Sequence, residues 1–140
     1  MKKEIHTKII IHSIPQKVWE NLADFENYPS WNPFIKEISG KLKIAEKIKV
    51  KIQPENASAM TFRPTIVDCE ENKRLIWKGK FIIGGLFDGK HQFELLNNQN
   101  GTTTFIHSEV FSGILVRFFN PENTEKGFEK MNQKLKEICE

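Results

Sequence analysis

One amphipathic segment at the end of the chain limits what the rest can become. From about Pro121 to Ile138, Phe128, Met131, Leu135 and Ile138 recur at helical spacing and make one apolar stripe on an otherwise polar helix. Pro121 suits the first turn, where its missing N–H costs nothing. Glu122 and Glu125 sit near the positive end of the helix dipole, and Lys134 and Lys136 fall toward the negative end. A helix with a single apolar stripe needs a surface to cover. Most of the chain upstream has strand patterns, so that surface is expected to be a sheet.

The strand patterns come in succession. Ile5 to Ile11 is rich in β-branched residues, with Ile5, Ile9 and Ile11 on one face and His6, Lys8 and His12 mainly on the other. Ser13 and Gln16 fit a capping box for a short helix, with Pro15 in its first turn and Val18, Trp19 and Leu22 on its apolar face, ending near Asp24. Asp24 to Phe34 gathers Phe25, Tyr28, Trp31 and Phe34 around Pro29 and Pro33, which predicts a compact helical turn and a tight connection. Strands are then expected at Ile35 to Ser39, Lys47 to Ile52, Met60 to Cys69, Arg74 to Phe81, Leu86 to Leu96 and Thr102 to Phe111. Short polar or glycine-rich breaks separate them, the mark of an antiparallel meander. The expected class is α+β. The length of 140 residues, without repeats, low-complexity tracts or a linker, predicts a single domain over residues 1–140.

Composition excludes several functions. No apolar run approaches the roughly 20 residues of a membrane span, so stable membrane insertion is not expected. The N-terminal apolar run is broken by His6, Lys8 and His12 and lacks a secretory core, which points to a cytoplasmic location. Cys69 and Cys139 are isolated thiols without metal spacing, expected to be free. The net charge of +3 is small, and Lys41, Lys43, Lys47, Lys49 and Lys51 alternate with Leu42, Ile48, Val50 and Ile52 as on a solvated strand surface. No aromatic residues interleave them to stack bases, so no nucleic-acid partner is expected. There is no nucleophile elbow and no phosphate loop, since Gly84-Gly85 is followed by a strand, and no cofactor is implied. Nothing in the sequence specifies an oligomeric state.

Several motifs in order resemble one known family. Tyr28-Pro29-Ser30-Trp31-Asn32-Pro33-Phe34, then Trp77, Gly84-Gly85-Leu86-Phe87-Asp88-Gly89 with His91 and Phe93, and Phe105-Ile106-His107-Ser108-Glu109 with Phe111 and Gly113 are similar to the polyketide cyclase/dehydrase branch of the START-like (SRPBCC, Bet v 1-like) superfamily. The resemblance spans nearly the whole chain. It implies a helix-grip fold, in which a curved antiparallel sheet of about seven strands wraps the long C-terminal helix around a cavity. It does not imply a reaction, because this fold hosts both carriers and enzymes. The Trp31-to-Phe34 stretch is a structural feature of the branch, and lining the cavity mouth is its alternative role.

Strand alternation selects candidates for such a cavity. Phe105, His107, Glu109 and Phe111 share one face of the last strand, Phe87, His91 and Phe93 one face of the strand before, and Trp77 and Phe81 continue the pattern. With Trp31, Phe34, Phe128 and Met131, these are the expected ligand-binding residues. His91, His107 and Glu109 are the only candidates for acid–base chemistry among them. They nominally form a metal-type set, but neither spacing nor resemblance favours a metal. The inward residues of both late strands carry odd numbers, so facing pairs sum to an even number. That requires a loop of odd length, and the best fit is Gln99-Asn100-Gly101, with Gly101 left-handed and Asn98 opposite Thr102. Leu95 then faces Phe105, Phe93 faces His107 and His91 faces Glu109, which is expected to hold His91 by a hydrogen bond. The leading expectation is a carrier or sensor of a small, mainly hydrophobic ligand. The alternatives are a polyketide cyclase or dehydratase using His107 or His91 with Glu109, and a protein-interaction module using the outer sheet face.

Overall fold

A computed structural model of the chain describes residues 1–80, 84–85 and 87–140. Strand β1 (Lys2–Ile11) leads into helix α1 (Pro15–Ala23), a 3-10 turn at Phe25–Asn27 and the short helix α2 (Tyr28–Trp31). Strands β2 (Ile35–Ser39), β3 (Lys49–Ile52), β4 (Met60–Phe62), β5 (Thr65–Glu70), β6 (Arg74–Lys80), β7 (Asp88–Asn97) and β8 (Thr103–Ser112) follow, and helix α3 (Glu122–Cys139) ends the chain.

All strand pairs are antiparallel, in the orders β1-β8-β7-β6-β5 and β2-β3-β4. A bridge between Lys47 and Thr65, with the Ile48 N–H donating to the Pro64 carbonyl at 2.9 Å, joins the two groups into one curved surface. The run Met60 to Cys69, expected as one strand, is two. Pro64 has no N–H for a ladder, so pairing passes from β3 to β6 across it. The β7–β8 register follows the parity of the sequence, with Leu95 on Phe105, Phe93 on His107 and His91 on Glu109. The Asn98 N–H donates to the Thr102 carbonyl at 3.1 Å, and Gly101 takes φ +85°.

Helix α3 buries Phe128, Met131 and Leu135 completely against β1, β8 and α1. Burial of such side chains is worth about 1.5 to 3 kcal/mol each. The stripe ends differently from expectation: Cys139 is buried and Ile138 is 37% exposed. The reason is rotational, since the position four residues after Leu135 stays on its face while the third drifts toward water. The expected capping box is also absent. Pro15 takes the first helical position, which makes Ile14 the cap residue and leaves Ser13 one residue too early, so no side chain caps α1. The Trp31-to-Phe34 stretch has a clear local role, because Asn32 Oδ1 accepts from the backbone N–H groups of Phe34 (2.9 Å) and Ile35 (2.8 Å) and turns the chain into β2.

The Phe34 ring lies edge-on to Phe128 at 5.5 Å and sits directly over Gly127 of α3. A β-carbon on residue 127 would overlap that ring. Gly127→Ala gains about 1 kcal/mol of helix propensity, yet the overlap makes it a net destabilisation of about 1 to 3 kcal/mol. Urea denaturation checks this, and a stabilised variant would contradict the Phe34 packing.

Candidate functional site

Three adjacent strands place one side chain each in a row: Trp77 of β6 faces His91 of β7, which faces Glu109 of β8. The Trp77 ring stacks on His91 with centroids 4.2 Å apart and planes 13° from parallel. One pair further along, Phe93 faces His107, and Phe128 from α3 stacks on His107 at 3.8 Å and 6°. Both imidazoles are buried.

Hydrogen bonds determine where the protons sit. Thr7 Oγ1 of β1 donates to the His107 carbonyl at 2.7 Å, so it accepts from Asn132 Nδ2, 2.9 Å away. That turns Asn132 Oδ1 toward His107 Nδ1 at 2.9 Å, and an oxygen there requires an N–H on Nδ1. Nε2 of a neutral His107 is then a lone pair, 2.8 Å from His91 Nε2, which must supply the hydrogen. His91 Nδ1 is left as an acceptor with no partner among the described residues. Burial keeps both rings neutral. It pulls His107 down to about 3, although Asn132 and the Phe128 carbonyl favour its charged form. It holds His91 well below the usual histidine range, and a charge on His107 would lower it further. Neither ring is therefore poised to gain a proton near neutral pH.

The expected hydrogen bond from Glu109 to His91 does not form. The two residues are opposite one another, but the Glu109 carboxyl leans along the sheet over Gly89, into space that a β-carbon at Gly89 would fill. His91 turns to His107 instead. Glu109 has no hydrogen-bond partner among the described residues, and burial pushes its carboxyl up to about 8. At neutral pH it is mostly uncharged.

Beside this wall lies a cavity of about 380 Å³. Of the expected ligand-binding residues, Phe34, Trp77, Phe87, His91, Glu109 and Phe111 line it. Trp31, Phe93, Phe105, His107, Phe128 and Met131 do not line it; all are buried in the adjoining core. The physical reason is that α3 presses Phe128 directly onto His107, which fills that end of the sheet. Phe81 lies outside the described residues. The opposite wall, formed by Ile35, Val50, Ile52, Met60, Phe62 and Pro64, was not anticipated, and neither were Leu115, Phe119 and Thr124 at one end or Lys80 at an exposed position. Thr7 and Asn132 were missed although each is a polar residue at an inward position of its strand or helix, which is a legible signal. No group of three or more His, Cys, Asp or Glu side chains among the described residues is placed to hold a metal ion. Nor is any helix there long and apolar enough to cross a membrane.

The architecture has solved relatives at low sequence identity. Ginseng major latex-like protein 151 from Panax ginseng superposes with a TM-score of 0.80 at 11% identity, covering 100% of this chain and 99% of that one. Norcoclaurine synthase from Thalictrum flavum, solved with dopamine and hydroxybenzaldehyde, gives 0.73 at 11% identity over 99% of this chain and 86% of that one. The di-domain ARO/CYC protein StfQ from the steffimycin biosynthetic pathway gives 0.70 at 9% identity over 99% of this chain and 52% of that one. These likenesses are of fold, the Bet v 1-like helix grip. No curated protein matches the chain in sequence. A family profile matches residues 2–140, and the chain accordingly belongs to the polyketide cyclase/dehydrase and lipid transport family.

Proposed function

We propose that the chain, acting as one domain over residues 1–140, binds and carries a small, mainly hydrophobic ligand in the cavity between β2–β4 and the β6–β8 wall. The observation that carries this reading is a cavity of about 380 Å³ whose lining is aromatic and aliphatic apart from a few polar groups, His91 and Glu109 foremost. Ligand pockets of roughly 300 to 1,000 Å³ have this character, with sparse polar groups fixing orientation. The family description, which names both cyclase and lipid-transport members, fits the same use. So does the relative solved with two small aromatic compounds.

Occlusion tests the proposal. Ile52 lines the cavity and is only partly buried, so Ile52→Trp fills ligand space with little cost to the fold. The variant is expected to bind an environment-sensitive apolar dye at least about tenfold more weakly than wild type, a loss of roughly 1.4 kcal/mol. Equal dye affinity in a folded variant would place the binding elsewhere.

The protonation states of the wall predict a pH profile. Glu109 is raised from 4.5 to about 8, so its contribution to stability is complete below 4.5 and is lost as pH rises through 8. His91 and His107 are lowered from 6.5, so theirs is complete above 6.5 and is lost as pH falls toward 3. The cysteine thiols, raised from 9, act only at higher pH. Between pH 6.5 and 8 the opposite histidine effect fades as the unfolded rings lose their protons, and the Glu109 effect outweighs it. Wild-type Tm is expected to fall across that interval, and Glu109→Gln to flatten the fall. A wild-type Tm unchanged across it would show that the carboxyl is already ionised in the folded protein.

A further inference from the structure

Glu109 is the only acid among the described residues of the cavity lining. Strand alternation puts its side chain on the inner face of β8, between His107 and Phe111, and the carboxyl lies over Gly89. Its oxygens have no hydrogen-bond partner among the described residues, yet they are not sealed. In that they differ from Trp31 Nε1, Asn32 Nδ2 and His91 Nδ1, which are unpaired and closed off, and Glu109 as a whole is only partly buried. The carboxyl is therefore reachable from the cavity. No charge balances it there. Lys3 of β1 shares its face of the sheet but donates to the carbonyls of Phe119 and Arg117. Lys80 of β6 is exposed, and Asp88 at the start of β7 accepts the backbone N–H of Gly85. His91 of β7 is an uncharged ring turned to His107, and α3 contributes Thr124 alone to the lining. The rest of that end is aromatic, with Trp77, Phe87, Phe111 and Phe119.

We infer that Glu109 anchors the ligand as a hydrogen-bond donor, giving the O–H of its carboxyl to an uncharged acceptor oxygen of the ligand, a carbonyl group foremost. This rests on the ligand-binding role proposed above and specifies the polar contact made there. The protonated state follows from the surroundings. Without a cation or a donor at hand, an ionised carboxyl in an apolar cavity is costly, and burial already pushes this one up to about 8. A hydrophobic ligand that displaces water from the cavity favours the uncharged form further. The filled cavity then holds an O–H that bonds to the ligand or is stranded. A carbonyl oxygen has no hydrogen of its own to place and is satisfied by that one donor. A hydrocarbon of the same shape leaves the donor unpaired, which is the costly outcome for a buried polar group. A ligand carboxylate would shed its own water in a cavity whose one lining cation among the described residues, Lys80, is exposed. Sites built to pair a buried polar group discriminate strongly against analogues that leave it unpaired.

Two matched probes test this: 2-octanone, labelled with carbon-13 at its carbonyl, and 2-methyl-1-octene, in which a CH2 group replaces the oxygen. Affinities are read by displacement of an apolar dye from wild type, Glu109→Gln and Glu109→Leu, and the carbonyl stretch of the bound ketone is followed by infrared spectroscopy. At about pH 6.5, wild type is expected to favour the ketone over the alkene about fivefold more than Glu109→Leu does. Glu109→Gln, whose amide still donates, is expected to retain most of that preference. The bound carbonyl stretch is expected at lower frequency in wild type than in Glu109→Leu, and to rise in wild type, but not in Glu109→Gln, as the pH is taken to about 9.5. Equal ketone-to-alkene ratios in wild type and Glu109→Leu, or a stretch that Glu109→Leu does not move, would overturn the inference and leave the cavity as the binding site. So would octylamine binding wild type more tightly than 2-octanone with release of a proton, since Glu109 would then serve as a counter-ion. If a variant does not fold, the wild-type stretch decides alone, and a frequency unchanged between the two pH values overturns the inference. Failure of both probes and the dye to bind would remove the ligand-binding reading and this inference with it.

Discussion

Two imidazole nitrogens 2.8 Å apart in a buried wall impose a condition on everything around them. One must carry a hydrogen and the other must not, and neither ring can hold a charge in that setting without losing several hydrogen-bonding and solvation terms at once. Asn132 resolves the ambiguity. Its amide is clamped by Thr7 on one side and offers an oxygen to His107 on the other, so a residue of α3 and a residue of β1 jointly choose the tautomer of a residue on β8. Removing one partner would strand buried polar groups at about 1 to 3 kcal/mol each. The network is thus a fastener between helix and sheet.

Aromatic stacking holds this network in place and divides the interior. Phe128 lies flat on His107 and Trp77 lies flat on His91, so the first imidazole belongs to the packed core while the second stands at its edge. Phe34 continues the division, touching Phe128 and Gly127 on one side and the cavity on the other. A glycine on β7 completes the arrangement. Because Gly89 has no side chain, Glu109 lies over it and its carboxyl is kept uncharged by burial. The wall therefore carries a neutral acid beside a neutral imidazole whose Nε2 is turned to His107 and whose Nδ1 is sealed from solvent.

Much of this was legible from residue patterns, and the part that was not has a common cause. The α3 stripe, the β7–β8 register and the left-handed Gly101 follow from period and parity, which are properties of the backbone. The facing of His91 and Glu109 follows from the same arithmetic. Their hydrogen bond does not, because it depends on which way a flexible carboxylic side chain leans, and that was decided by the absence of a side chain at Gly89. Asn132 was readable in principle: it stands four residues after Phe128, on the core face of the helix, where a polar residue signals a buried partner. The β2–β4 wall is a different matter. Its strands are short and weakly patterned, and the break at Pro64 sets their placement over the cavity through contacts between segments far apart in sequence.

The helix-to-sheet network depends most directly on the fixed, complementary tautomers of the two buried histidines. Nitrogen NMR of the protein labelled at its imidazoles measures this without any ligand or variant. Across about pH 5 to 8, two non-titrating neutral rings are expected, His107 protonated at Nδ1 and His91 at Nε2. Titration of either buried ring near 6.5, or a His91 carrying its hydrogen on Nδ1, would contradict it.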